Sequence, residues 1–297
     1  MDLYQSPQPG FRSRRRKHSR LSESIGMAFR IIKGTFLTFT MTKGAEASAA
    51  LAYYTLFSVF PLLLIIVSVG SFFADEGVIE QRLIELLPDI IPVSQDFIIN
   101  NIREVFVNRG GITILAFLGL IWSATAVFTV IMRNINAAWP DAAPRSYLRM
   151  RLLSLVLVIA LAILFIFSSF TITFKQLIIN LGFSSTFENI WSLFSTSIAR
   201  TVINNIIRAL LFFALYFWTP QIKVKKVAAI TGAVVTAFLW QLLSSFFSSY
   251  ISSGLASYDI VYGSLGKIVA LLAWVYFSVY IVLMGAHLTS SIDRHTG

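Results

Sequence analysis

Three polar side chains recur at every fourth position of the apolar stretch 198–218: Arg200, Asn204 and Arg208, with Asn205 beside them. On an α-helix this spacing keeps the three side chains on one side, where they drift slowly around the axis. A guanidinium group placed in this way can hold a phosphate or another anion, and amide groups can donate and accept hydrogen bonds next to it. These residue types therefore indicate anion binding.

Arg208 lies at the middle of this stretch, which has the length and apolarity of a membrane-spanning helix. An arginine at the centre of such a helix costs at least about 2.5–3.5 kcal/mol on insertion scales, so another group must offset that cost. Each aspartate and glutamate of the chain falls in a tail, in a loop or at the edge of an apolar stretch. The groups left to meet Arg208 are backbone carbonyls, Asn204 and Asn205, water in a cavity, or an anionic ligand.

Arg208 has two interpretations. In the structural one, its side chain reaches toward the membrane surface or donates to carbonyl groups at an unwound part of the helix. In the functional one, it lines a basic, partly hydrated cavity. Further basic residues at the outer ends of apolar stretches favour the second interpretation, because they run against the usual distribution of positive charge. The predicted substrate-binding residues are Arg208, Asn204, Asn205, Arg200, Lys267 and Lys175.

The sequence has few of the residue types and spacings that catalytic sites need. The chain has no cysteine and only three histidines, and its acids are scattered without the spacing of a metal site. Metal-dependent phosphodiester hydrolysis needs clustered carboxylates or histidines. The sequence also contains neither a glycine-rich phosphate loop nor a Gly-x-Ser-x-Gly motif. We therefore predict no catalytic residue, no metal, no cofactor and no nucleic-acid partner.

The composition is typical of a membrane protein. Of the 297 residues, 56% are hydrophobic and only 13% are charged, whereas soluble domains carry about 25% charged residues. We predict an all-α, polytopic membrane protein whose transmembrane domain covers residues 25–290. Its six transmembrane helices are expected at about 47–73, 112–132, 152–174, 198–218, 227–250 and 263–289.

The segments outside these spans are polar or amphipathic. The basic tail, residues 1–24, is expected to be disordered and attracted to anionic lipid. A basic amphipathic helix over 25–44 should lie on the inner membrane surface, and two amphipathic helices over 78–108 should lie on the outer one. Pro61 should kink the first span, either as a packing feature or as a hinge. Residues 291–297 form a short cytoplasmic tail.

The orientation of the chain follows from the lysine and arginine residues in its short loops. With six spans, the N-terminal tail, the 133–151 loop, the 219–226 loop and Arg294 all fall on one side of the membrane. Because this side holds most of the positive charge, we expect it to be the cytoplasmic side. Both termini then lie inside the cell.

Several sequence motifs are distributed along the predicted spans. The first span contains the run AALAYYTLFS from Ala49 to Ser58, followed by Phe60-Pro61-Leu62. The other motifs are Trp122-Ser123-Ala124 with Asn136 and Trp139, Tyr216 with Pro220, Tyr262-Gly263-Ser264-Leu265, and Trp274-Val275-Tyr276 with Gly285-Ala286. Together these motifs resemble those of the YihY/BrkB family of bacterial inner-membrane proteins, and the similarity covers roughly residues 25–290.

The resemblance implies a protein of the bacterial inner membrane, linked to virulence traits such as serum resistance and to lipid-related transport. The family once carried the label ribonuclease BN. One position departs from the family pattern, because His287 stands where the family often has an acid after the last Gly-Ala pair. A role of that carboxylate therefore does not carry over to this chain.

We interpret the chain as a membrane protein that binds or moves an anionic lipid, or another amphipathic envelope molecule, through a basic cavity around Arg208. A lipid suits such a site because its phosphate can be held while its acyl chains stay in the membrane. Two alternatives stay open: a non-transporting scaffold for envelope assembly, and a transporter of small organic anions. The expected partners are membrane lipids, anionic ones among them, and further copies of the chain.

Overall fold

The described part of the chain is helical in the computed structural model. The structure describes residues 11–70, 114–144, 146–156, 197–252 and 264–295, together with 77–78, 80–81, 83–84, 99–100, 104 and 159. None of these residues lies in a β-strand, which confirms the predicted all-α class for this part. A shorter helical stretch covers 147–156. The long helices are α1 (Phe11–Met41), α2 (Gly44–Gly70), α3 (Ile114–Ala137), α4 (Ser197–Trp218), α5 (Lys226–Ser252) and α6 (Ser264–His295).

Among the described residues, three helices are long and apolar enough to cross a membrane. They are Thr201–Trp218 in α4, Lys226–Tyr250 in α5 and Gly266–His295 in α6, and they overlap the last three predicted spans. The helices α2 and α3 overlap the first two predicted spans, 47–73 and 112–132. Most of the predicted third span and of the outer helices over 78–108 lies outside the described residues, so the count of six spans stays a prediction.

The centre of this helix bundle is α6, which packs against each of the five other long helices. Its Trp274, Leu283 and Ala286 are almost completely buried. The helix α4, in contrast, packs mainly against α5. It is also the least buried of the three candidate spans. The helix α4, which carries Arg208, therefore lies toward the periphery of the described bundle.

The helices α5 and α6 approach each other closely at two glycines. A Cβ atom at Gly232 would collide with the hydroxyl group of Thr289, and one at Gly285 would collide with the hydroxyl group of Thr236. Small side chains at helix interfaces allow such an approach within membranes. The neighbouring residues of α5 on both sides of Gly232 are also small and buried: Ala228, Ala229, Ala233, Thr236 and Ala237.

One end of the bundle brings together the loops after α3 and α4 and the last turn of α6. Asp293 accepts hydrogen bonds from the indole N–H of Trp139 at 3.3 Å and from the backbone N–H of Lys225 at 3.0 Å. The backbone N–H of Gln221 donates to the side-chain oxygen of Asn136 at 2.8 Å. The predicted orientation requires these segments to lie on one side, as they do. We call this end the basic end, and its cytoplasmic location stays a prediction.

The helix α1 starts at Phe11, within the segment 1–24 for which we predicted disorder. Residues 11–24 are helical instead. Arginine and lysine have good helix propensity, so a basic run can extend a helix although it cannot form a core of its own. The amphipathic helix predicted for 25–44 is thus the second half of a longer helix that ends at Met41.

One face of α1 packs along the last turns of α6 in antiparallel order. The Ser291 hydroxyl donates to the carbonyl of Ile31 at 3.0 Å, and the rings of Phe39 and Tyr280 meet edge to face with centroids 4.7 Å apart. This face is therefore held by protein, whereas the opposite face suits contact with lipid. The exposed apolar side chains of α1 include Phe29, Ile32, Phe36, Leu37 and Met41.

His287 connects α6 to α1. The side chain is buried, and its two ring nitrogens lie 3.1 Å from the hydroxyl oxygens of Thr38 and Thr42 respectively. The ring also meets Phe39 edge to face, with centroids 5.6 Å apart. A histidine can serve two hydroxyl groups at once because its two nitrogens point in different directions. The position that departs from the family pattern thus holds two helices together.

The structure buries Arg151, which we had placed in the basic loop before the third span. It lies on the helical stretch 147–156, so this helix begins earlier than the predicted boundary at 152. Its guanidinium group lies over the ring of Trp122, 3.9 Å from the centroid, and donates to the Trp122 carbonyl. A cation over an indole face is an attractive arrangement. The side chain therefore joins this helix to α3 and does not contribute to a solvated loop.

Candidate binding site between α4 and α5

The helices α4 and α5 pack side by side in antiparallel order. Near the basic end, the hydroxyl groups of Tyr216 and Thr236 lie 3.2 Å apart. One turn further along, the rings of Phe212 and Trp240 have centroids 5.8 Å apart. Another turn brings the interface to Arg208, at the middle of the candidate span Thr201–Trp218. The partner of Arg208 therefore comes from the second half of α5.

Arg208 donates hydrogen bonds to two amide side chains. Its Nη1 lies 2.6 Å from Oε1 of Gln241 on α5, and 3.4 Å from Oδ1 of Asn205 on α4. The amide nitrogen of Gln241 in turn donates to the Ser245 hydroxyl at 3.4 Å. Both acceptors are neutral amides, so these two bonds satisfy N–H groups without cancelling the positive charge. The guanidinium group is half-buried.

Polar residues continue from Arg208 along both helices, away from the basic end. On each helix they are spaced by three and four residues, which places them on a single helical face. Asn204, Asn205 and Ser244 are half-buried, like Arg208 and Gln241. We call the whole set the α4–α5 polar track; it consists of Thr201, Asn204, Asn205 and Arg208 on α4, and of Gln241, Ser244, Ser245, Ser248 and Ser249 on α5.

The interface becomes apolar on the other side of Arg208. Phe212 is buried one turn closer to the basic end, next to Trp240. Trp240 contacts Trp274 of α6 edge to face at 5.9 Å, and Trp274 contacts Phe247 at 5.4 Å. Of these rings, Phe212 and Trp240 lie between the track and the basic end, whereas Phe247 and Trp274 lie beside the track. The α4–α5 polar track thus ends at Arg208.

The faces of both helices that point away from the bundle are apolar and exposed. The α4 side chains Val202, Ile206, Ile207, Leu210 and Leu211 are all about half exposed or more. The α5 side chains Ile230, Val234, Phe238, Leu242 and Phe246 are exposed in the same way. In a membrane these surfaces contact acyl chains, which cost nothing to an apolar side chain. The polar track therefore lies beside surfaces that suit lipid.

Most of the helical part of the chain matches a known protein family. The family model described as "Virulence factor BrkB" matches residues 35–297, which include all of α2 to α6 and the α4–α5 polar track. The chain belongs to this family. The resemblance noted from the sequence motifs is thereby confirmed, and the chain is a membrane protein of the BrkB type.

Relatives of this BrkB-family chain carry two kinds of name. A protein of Bacillus subtilis described as ribonuclease-like, YfkH, is 28% identical over 89% of this chain and 95% of its own length. A UPF0761 membrane protein of Vibrio atlanticus is 30% identical over 82% of this chain and 76% of its own length. No solved structure matches the chain.

The other predicted site residues of this BrkB-family protein lie in different places. Arg200 is on the first turn of α4, at the far end of the bundle from the basic end. Lys267 is half-buried on the first turn of α6, which the antiparallel packing places at the same end. Lys175 lies outside the described residues. Pro61 lies within α2, which is helical on both sides of it, and its role as a hinge stays a prediction.

The sequence prediction missed the contribution of α5. Gln241 accepts a hydrogen bond from Arg208 across the helix interface, and the serines that follow it extend the track. The signal was present, because residues 241, 244, 245, 248 and 249 repeat with the same three- and four-residue spacing as 201, 204, 205 and 208. We had given binding roles to residues of α4 and to two lysines, and had placed residues 241–249 within the fifth predicted span without a role.

The track offers binding groups rather than reactive ones. A guanidinium group can donate to two oxygens of a phosphate or carboxylate at once. Amide and hydroxyl groups can each donate and accept. Within the described part of the chain, no group of three or more histidine and acidic residues is placed to hold a metal ion. The geometry therefore suits recognition of a polar, negatively charged group at the edge of a lipid-contacting surface.

Proposed function

We propose that this BrkB-family protein binds an anionic, amphipathic lipid of the cell envelope along the α4–α5 polar track, and moves or positions it in the membrane. The observation that carries the proposal is the continuity of the track. A half-buried guanidinium group lies at one end, and amide and hydroxyl side chains follow it over about two turns of both helices. A lipid suits this arrangement because its headgroup can occupy the track while its acyl chains contact the exposed apolar faces.

The proposal includes an orientation and excludes a catalytic role. We place the protein in the inner membrane with the basic end and both termini in the cytoplasm, since lysine- and arginine-rich loops favour that side. The ribonuclease-like name of the Bacillus subtilis relative describes that protein. Hydrolysis of a phosphodiester needs a positioned base, nucleophile or metal, and the track supplies hydrogen-bonding groups only. We therefore propose a binding or transport protein.

A scaffold for envelope assembly is the second candidate. The close approach of α5 and α6 at Gly232 and Gly285 favours it, because such tight contacts resist the sliding of helices that transport requires. In a scaffold, Arg208 would serve only to join α4 to α5 through Gln241. A transporter of small organic anions would use the same arginine without the lipid-contacting faces.

The lipids that stay bound during purification test the proposal. We would purify the parent and the Arg208→Met variant with native lipids retained and identify the bound lipids by native mass spectrometry. The matched control is Arg149→Met, which removes an exposed arginine outside the track. We expect the parent and the control to retain anionic lipid and Arg208→Met to lose most of it. Equal anionic lipid on all three proteins would contradict the proposal and favour the scaffold.

A further inference from the structure

The α4–α5 polar track pairs a single described guanidinium group with many neutral polar groups. Asn204, Asn205 and Gln241 contribute amides. The remaining members are hydroxyl side chains: Thr201, Ser244, Ser245, Ser248 and Ser249. A site for a headgroup with several phosphates would use several cations, because each phosphate group carries negative charge and accepts several hydrogen bonds. The charge of Arg208 matches one phosphate.

The neutral groups identify what accompanies that phosphate. Amides and hydroxyls both donate and accept hydrogen bonds, so they pair best with groups that do the same. Hydroxyl groups of glycerol or of a sugar have this property. An ammonium headgroup only donates, a trimethylammonium headgroup does neither, and both would be repelled by Arg208. The track therefore discriminates between headgroups by their hydroxyl content as well as by charge.

The length of the track agrees with a headgroup larger than phosphate. Gln241, the partner of Arg208, and Ser249 are eight residues apart on α5, which corresponds to about 12 Å along the helix axis. A phosphate held by Arg208 would occupy only the first turn of this distance. The turns that carry Ser244, Ser245 and Ser248 then lie beside the group attached to the phosphate.

We infer that the ligand of the α4–α5 polar track carries one phosphate next to a hydroxyl-rich group, of the glycerol or sugar type, with the phosphate at Arg208 and the hydroxyls along the serines of α5. This inference rests on the proposed function, because it specifies the headgroup of the lipid proposed there. The same chemistry occurs in a lipid headgroup and in a free sugar or glycerol phosphate, so the test includes both sources.

Calorimetric titration of the full-length protein in detergent separates these ligands. The probes are short-chain phosphatidylglycerol, phosphatidic acid and phosphatidylcholine, together with glycerol 3-phosphate. We expect phosphatidylglycerol to bind about tenfold more tightly than phosphatidic acid, the equivalent of about 1.4 kcal/mol. We expect phosphatidylcholine and glycerol 3-phosphate to bind more weakly than both.

Variants of the neutral groups test the assignment of the hydroxyls. The variants are Asn204→Leu and the milder double variant Ser244→Ala/Ser248→Ala. Each should lower the affinity for phosphatidylglycerol until it equals the affinity for phosphatidic acid. The affinity for phosphatidic acid itself should change less than twofold. Thr231→Val is the matched control, because Thr231 is an exposed hydroxyl on α5 that already donates to the Val227 carbonyl. This control should bind like the parent.

The outcomes distinguish the inference from the function on which it rests. Equal affinity for phosphatidylglycerol and phosphatidic acid in the parent would overturn the inference and leave the anionic-lipid function standing. An anionic-lipid affinity no higher than that for phosphatidylcholine would overturn both. Glycerol 3-phosphate binding as tightly as phosphatidylglycerol would support the headgroup assignment and contradict the lipid as its source.

Discussion

At the scale of single residues, Arg208 and Gln241 show how a membrane bundle accommodates an intramembrane charge. The insertion cost of a central arginine is about 2.5–3.5 kcal/mol. A hydrogen bond to a charged group contributes about 1.5–3 kcal/mol. The 2.6 Å bond from Arg208 to Gln241 is therefore large enough to offset much of the cost. The same bond holds the guanidinium group at the end of the α4–α5 polar track that is nearer the basic end.

This pairing predicts strong coupling between the two residues. Gln241→Leu removes the acceptor on α5 and should lower the free energy of unfolding by about 1–2 kcal/mol. The double variant Arg208→Met/Gln241→Leu should be more stable than Gln241→Leu alone, because the charge that needs the acceptor is gone. Thermal unfolding of the parent, both single variants and the double variant measures the coupling as a double-mutant cycle. Additive effects would show that the two side chains do not support each other.

Two threonines at the end of α1 offer a second matched comparison. Thr42 and Thr40 are both exposed and both donate to a backbone carbonyl four residues earlier, but only Thr42 also meets His287. Thr42→Val should therefore lower stability by about 0.5–1.5 kcal/mol, whereas Thr40→Val should leave it nearly unchanged. Thermal unfolding, with protease cleavage of α1 as a second readout, checks this. Equal behaviour of the two variants would mean that the contact with His287 contributes nothing to holding α1.

At the scale of helices, the contact between α5 and α6 depends on glycine. Gly285→Ala and Gly232→Ala each place a methyl group against a threonine hydroxyl of the facing helix. Such overpacking costs about 1–3 kcal/mol, so both variants should melt at lower temperature than the parent. Gly119→Ala on α3 is the control, because an added Cβ there meets no atom within 4 Å. The control should be neutral or slightly stabilising, since alanine is the better helix former. Unchanged melting of Gly285→Ala would show that the helices can separate easily.

The positions of these helices could be read from hydropathy, but their neighbours could not. The candidate spans in α4, α5 and α6 agree with the predicted ones because about 20 apolar residues in a row have few alternatives. The importance of Gln241 was missed because the partner of Arg208 depends on which face of α5 turns toward α4. The start of α1 at Phe11 was missed because charge argues for solvent exposure without deciding between helix and coil.

At the scale of the whole molecule, the structure puts α6 at the centre, although the sequence drew attention to α4. The reason lies in residues that carry no charge: Gly285, Ala286 and Ser290 are small and let neighbouring helices approach. Hydropathy values do not reveal such contacts. The orientation prediction was more informative, since the loops after α3 and α4 do meet the end of α6 at Asp293.

The orientation itself is testable in living cells. A reporter that needs the cytoplasm should be active when fused after Arg294 or within 141–146, because both positions belong to the basic end. The same reporter should be silent within 80–105, which we place outside the cell. Expression levels of each fusion provide the control. An active cytoplasmic reporter within 80–105 would contradict the six-span topology.

The central claim is that Arg208 contacts the phosphate of a lipid, and solid-state NMR can detect that contact directly. The protein, labelled with ¹⁵N at arginine, would be placed in bilayers containing phosphatidylglycerol, and the loss of guanidinium ¹⁵N signal caused by ³¹P would be measured. Surface arginines also contribute to this loss, so Arg208→Met is compared with Arg149→Met, which lacks one surface arginine and keeps Arg208. We predict a component of the loss that is present in the parent and in Arg149→Met and missing in Arg208→Met. The same loss in all three proteins would show that Arg208 holds no phosphate, and would contradict the proposed function.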